Sequence, residues 1–213
     1  MLRGLIAVAA IGAGALMLGS CATMSEDQCL AGDWGGQGFR DGSIGLSMSR
    51  LDDHAKACEK HGVVPEEAVY RSARADGLTR YCTVERGFQE GREGDGYANV
   101  CPAELETDFL PAYRDGQFVH AAESALASAI SSVESYGGRL EDLDDKIEAK
   151  RRECRNETLP QPERERACER IGELRRERED TGRNWRRAQD EVDDAEGNAR
   201  DVRYRFQSIY GVW

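Results

Sequence analysis

Apolar residues recur at every seventh position through the second half of the chain. Leu126, Val133, Leu140, Ile147 and Cys154 form one series, with Ile130, Leu143 and the poorer Arg151 interleaved. Further on, Ile171, Arg178, Trp185, Val192, Ala199 and Phe206 form a second stripe, and Leu174, Ala188, Ala195 and Val202 accompany it. Two apolar positions in seven predict a left-handed coiled coil. Between the two patterns lies "RNETLPQPER" at 155–164, whose two prolines forbid a continuous helix. Residues 117–205 therefore read as an antiparallel helical hairpin with its turn near 155–163, each arm spanning about 35 residues or ~50 Å.

The register follows from the turn. With Cys154 opposite Cys168, Ile147 meets Leu174, Leu140 meets Thr181–Gly182, Val133 meets Ala188, Ile130 meets Val192 and Val119 meets Val202. Apolar residues face apolar residues almost throughout. Glycines at 137, 138, 182 and 197 each cost about 1 kcal/mol against Ala in a helix interior, and the first two predict a kink. A seam this thin is also compatible with a homodimer.

Residues 29–116 have a different texture, with most of the glycines and aromatics and four cysteines. A motif of small residue, two variable residues, acid and glycine occurs four times: "GFRDG" (38–42), "ARADG" (73–77), "GFQEG" (87–91) and "AYRDG" (112–116). Small residues four apart lie on one helix face and let two backbones approach. Gly38, Gly42, Gly77, Gly91 and Gly116 are thus expected where short helices cross. Two other readings exist. Gly42 and Gly91 could end helices in the left-handed conformation, or Asp41, Asp76, Glu90 and Asp115 could converge on a ligand.

The amino terminus bears on the cysteines. Arg3 precedes the apolar run "LIAVAAIGAGALML", which ends in "LGSC" at 18–21. This is the pattern of an export signal, and its ending resembles a bacterial lipobox. The expectation is a signal peptide over 1–20 and a diacylated (palmitate-type) Cys21. A tether follows over 21–28, then a head over 29–116, the hairpin, and an aromatic tail over 206–213 packed on the head with Trp213 buried. Ala22, rather than Asp, after the cysteine points to the periplasmic face of an outer membrane.

Without Cys21, six of the seven cysteines remain, and an even number in an oxidising compartment reads as three disulfides. Cys154–Cys168 follows from the hairpin. No C-x-x-C spacing suggests redox or zinc chemistry.

The ordered segments "EDQCLAGDWGGQGFRDG", "DDHAKACEKHGV", "ADGLTRYC", "GFQEGREGDGYANVCP" and "AYRDGQ" resemble domain of unknown function 2799 over about residues 25–120. The resemblance implies a proteobacterial envelope lipoprotein and carries no activity. Within the head, a helix over 49–60 running antiparallel to one beginning near Glu26 would pair Cys29 with Cys58 and leave Cys82 for Cys101. Pairing Cys58 with Cys82 and Cys29 with Cys101 stays open.

Other chemistry is thin. His54, Cys58 and His61 share a helix face at metal-ligand spacing, and "EGREGDG" (90–96) is acidic and glycine-rich but lacks the order of a calcium loop. His120 reads as a surface residue. With 40 acids against 29 Lys and Arg, the net charge of −11 argues against nucleic acid. The resulting expectation is an all-α, non-enzymatic protein without cofactor. Its small disulfide-stapled helical head and long antiparallel coiled-coil hairpin would be held to a membrane by lipid, with the arm meeting an envelope protein or cell-wall partner. The alternative is a head that binds a metal ion or small ligand.

Overall fold

The structure, a computed structural model, describes residues 23–211. Those residues are all-α, forming seven helices: α1 (Glu26–Ala31), α2 (Trp34–Ser43), α3 (Arg50–Glu59), α4 (Glu67–Tyr81), α5 (Val84–Glu93), α6 (Ala103–Arg155) and α7 (Gln161–Tyr210). The segment expected to be a signal peptide, Cys21 and Trp213 lie outside the described residues. Among the described residues no helix is long and apolar enough to cross a membrane.

Short helices in a glycine-rich sequence need defined ends, and the side chains supply them. Ser25 and Gln28 bond reciprocally to each other's backbone amides at the start of α1, satisfying two donors the helix cannot. The Asp33 side chain accepts from the Gly36 amide at the start of α2, and Thr83 accepts from Arg86 at the start of α5. At the far end of α5, Gly94 takes φ +81°, and a side chain there would collide with the His120 ring. His120 Nδ1 lies 3.1 Å from the Arg92 carbonyl in the last turn of α5.

Two expected boundaries are corrected. The break between head and hairpin at 116/117 falls inside α6, a single helix of 53 residues that begins in the head and ends at the hairpin turn. It runs unbroken through Gly137–Gly138, where a kink is expected, because neither glycine is needed for a bend or a close contact. Of the tether expected over 21–28, the described residues 23–28 are packed on the head. Met24 is buried in the core, Thr23 Oγ1 lies 2.8 Å from His54 Nδ1, and α1 begins at Glu26. An apolar side chain and a capping box hold this segment in place. The aromatic tail is also not a separate element, since α7 continues to Tyr210.

Four clusters make the core. One surrounds Cys29–Cys58 with Met24, Trp34, Leu51 and Tyr70, and a second joins Leu78, Tyr81, Cys82, Phe109 and Tyr113. A third brings Phe206 of α7 against Phe88, Ala112 and Val119. The fourth lies in the arm, where Leu143 and Ile147 meet Leu174. Elsewhere the arm's buried seam is built of small residues: Ala122 and Ala129 on α6, with Ala167, Thr181, Ala188 and Ala199 on α7. Small contact residues shorten the distance between helix axes. Leu126, Val133 and Leu140 are only half-buried beside that seam, and Ile130 is exposed. Arg178, the charged residue in the predicted stripe, reaches across to Asp144 in a bidentate pair at 2.5 and 2.9 Å. This pair holds the Asp144 carboxyl below its ordinary pKa.

Candidate functional site

The four glycine motifs pair off into two helix crossings of the same design. In the first, α2 meets α4. A side-chain carbon at Gly38 would strike the Tyr70 carbonyl oxygen, one at Gly42 the Arg74 carbonyl, and one at Gly77 the Phe39 carbonyl and Ser43 nitrogen. In the second, α5 meets α6. There Gly87 faces the Phe109 carbonyl, Gly91 the Tyr113 carbonyl, and Gly116 the Phe88 carbonyl and Arg92 nitrogen. Every contact of the first crossing has its counterpart in the second. All of them bring the added carbon within 3.0 Å of backbone, a separation real Cβ atoms do not adopt.

Gly42 and Gly91 therefore do not end helices in the left-handed conformation. Both lie within helices, and neither has positive φ. Their missing Cβ atoms are what allow the backbones to touch.

Each crossing is flanked by a disulfide. Cys29 and Cys58 join α1 to α3 beside the first, with Cα atoms 5.4 Å apart, and Cys82 joins Cys101 beside the second at 5.7 Å. Cys154 and Cys168 stand 5.1 Å apart across the hairpin turn. Of the two head pairings left open by spacing, the structure has Cys29–Cys58 with Cys82–Cys101.

The motif acids separate rather than converge. Asp41 and Glu90, on the glycine-pair helices α2 and α5, are buried. Asp76 on α4 is exposed, and Asp115 on α6 is half-buried and accepts a hydrogen bond from the Tyr210 hydroxyl at 2.8 Å. The four share no hydrogen-bond partner among the described residues.

Asp41 anchors the densest polar cluster in the molecule. It accepts from the Tyr70 hydroxyl at 2.6 Å and from Gln37 Nε2 at 2.9 Å, and His54 Nε2 lies 2.7 Å away. His54 and Tyr70 are wholly buried. Burial, with the Asp41 carboxylate beside it, pushes the Tyr70 hydroxyl far above its ordinary pKa. Glu90 repeats part of this pattern, accepting from the Tyr81 hydroxyl at 3.2 Å and pairing with Arg86 at 2.7 Å. Tyr81 is raised for the same two reasons.

A buried carboxylate must be paired or bonded to be tolerated, and the Asp41 network meets that need while joining α2, α3, α4 and Thr23. As folded, it lies out of reach of solvent. Its sequence signal is the acid three residues after Gly38, on the same buried helix face.

The metal-spaced trio is dispersed by these contacts. His54 bonds Asp41, Cys58 is in a disulfide, and His61 lies 3.8 Å from Glu26. Among the described residues no group of three or more His, Cys, Asp or Glu is placed to hold a metal ion. The acidic stretch 90–96 is divided: Glu90 and Gly91 are buried within α5, Gly94 caps it, and Asp95 and Gly96 are exposed beyond it.

No curated protein and no solved structure is recognisably similar to the chain. Residues 33–118 match the family model described as "Protein of unknown function (DUF2799)". The match runs from the start of α2 into α6 just past Gly116, so it takes in both glycine crossings and leaves the distal arm outside: over these residues the head is similar to the DUF2799 family.

Proposed function

We propose that the protein is a lipid-anchored, non-enzymatic structural protein of the bacterial envelope, facing the periplasm, whose helical arm engages another envelope component. The observation that carries the reading is the continuity of α6, which makes one rigid piece of a glycine crossing in the head and a hairpin arm of charged surface. At 1.5 Å per residue, the stretch from Gly116 to Arg155 reaches about 60 Å. The placement of Thr23 and Met24 supports anchoring close to the head. A chain covers at most ~3.6 Å per residue, so an acylated Cys21 would hold the body within roughly 10 Å of its lipid. Three disulfides suit an oxidising compartment.

The test places a photo-cross-linking residue at exposed arm positions, such as Glu141 and Arg186, in the full-length protein in living cells. A single discrete adduct from the arm, together with an acylated Cys21 by mass spectrometry, is the expected result. Absence of any adduct along the arm removes the arm's role, and an unmodified amino terminus removes the anchor.

A further inference from the structure

The two glycine crossings are alike inside and differ in what covers them. On the second, the end of α7 lies across the outer face. Tyr210 stacks on Phe88 with ring centroids 4.1 Å apart, Phe206 sits against Ala112 and Val119, and the Tyr210 hydroxyl bonds Asp115. The matched backbone contacts identify the corresponding positions on the first crossing as Phe39 for Phe88, Ala73 for Ala112, Asp76 for Asp115 and Arg80 for Val119.

Among the described residues no helix lies across these positions as α7 lies across the second crossing. Phe39 is 36% exposed and the neighbouring Val69 46%, and Asp76 is open to solvent. Val69, Ala73 and Asp76, with Ala68 and Ser72 of the same helix α4, line a shallow groove of about 440 Å³, and Asp76 is the counterpart of the carboxylate that Tyr210 bonds.

We propose that this groove on α4, together with the exposed Phe39 of α2, is a docking site for a helix of another protein carrying an acidic residue and then two aromatics at four-residue spacing, the last a tyrosine. The aromatic pair is read from Phe206 and Tyr210, which fill the equivalent surface. The tyrosine hydroxyl would donate to Asp76 as Tyr210 donates to Asp115. The acid follows from the one substitution that changes chemistry. Val119 belongs to the cluster against which Val202, one turn before Phe206, packs, whereas Arg80 holds its guanidinium over the Phe39 ring, 5.4 Å from the centroid. An occupant with a carboxylate at the Val202 position would pair with that cation. A second copy of the chain offers valine there, and its own Phe206 and Tyr210 are already seated.

The experiment uses the full chain and two helix-stapled fluorescent peptides of residues 196–210, one native and one with Val202→Glu. The Val202→Glu peptide should bind at micromolar to sub-millimolar concentration and more tightly than the native one. Ala73→Leu, which fills the groove from a half-buried position on its lining, and Asp76→Asn should each weaken it, the former roughly tenfold or more. Both variants should keep the parental thermal transition. Failure of the Val202→Glu peptide to bind, or binding indifferent to Ala73→Leu, overturns the site. Tighter binding of the native peptide overturns the acidic partner and points instead to exchange between copies of the chain.

Discussion

Glycine means opposite things in the two parts of this molecule. In the head, Gly38, Gly42, Gly77, Gly91 and Gly116 sit where a single added carbon would meet backbone of a neighbouring helix. In the arm, Gly138 and Gly197 face nothing within 4 Å, and Gly137 would meet only the Trp185 indole at an ordinary 3.7 Å. The residue is structural in the first case because the partner atoms are carbonyl oxygens and amides that cannot rotate away. In the second it is only a weak helix former with room to spare. Frequency in the sequence therefore says little. What decides the role of a glycine is whether backbone lies opposite it.

The contrast can be broken most strongly at the second crossing. Gly91→Ala should cost more than about 3 kcal/mol, the upper range for overpacking, because α5 and α6 must separate. Denaturant unfolding with the disulfides intact measures it, and a loss below about 1 kcal/mol would show that the helices slide apart cheaply.

Next comes the joint between head and arm. Phe206→Ala removes the ring beneath the end of α7 and should cost ~3 kcal/mol. Hydrogen exchange should then show residues near Tyr210 losing protection before those near Leu174.

Removing Cys154 and Cys168 by paired serine substitution opens a loop whose closure stabilises by ~3 kcal/mol on the chain-entropy account, and less if the turn retains structure when unfolded. Fraying should begin at the tip, while the head's glycine contacts stay as they are.

The arm glycines sharpen the comparison with the opposite sign. Gly138→Ala should raise stability by up to about 1 kcal/mol, since an exposed helix interior gains from alanine. A destabilised Gly138→Ala variant would mean that the arm, too, depends on a close approach.

The smallest effect distinguishes the regions by pH. Tyr70 and Tyr81 in the head have pKa values raised by burial and by their carboxylates. Unfolded tyrosine ionises near pH 10, so the contribution of each is fully present below that pH and is lost as pH rises beyond it. In the arm, Asp144 is lowered beside Arg178, so its contribution is present above the ordinary carboxylate range and fades as pH falls through the lowered value. Unfolding followed at both extremes should find the head yielding first in alkali.

The arm is largely legible in the amino-acid sequence. A seven-residue period needs only two helices to satisfy it, and a proline-rich turn flanked by cysteines sets the register. The alanines at 122, 129 and 167 were harder to see, because a buried alanine looks like a neutral helix residue until a partner backbone comes close. The repeated head motif was visible as four copies, but not as two matched pairs. The connection between partners is 35 residues from Gly42 to Gly77 and 25 from Gly91 to Gly116, and α3 in the longer one hides the period.

The Asp41, His54 and Tyr70 network escaped for a similar reason. Its members come from three helices, and nothing local marks an aspartate as buried. The end of the head domain was obscured because composition changes near residue 117 while the helix does not.

That uninterrupted helix has a mechanical consequence. A bar clamped at one end between glycine faces magnifies whatever happens at its clamp. With ~60 Å of free length at 1.5 Å per residue, a tilt of about 10° sweeps the tip through about 10 Å. Slight repacking between α5 and α6 would thus be felt far out along the arm, and a pull on the far end would act on the crossing with the same leverage.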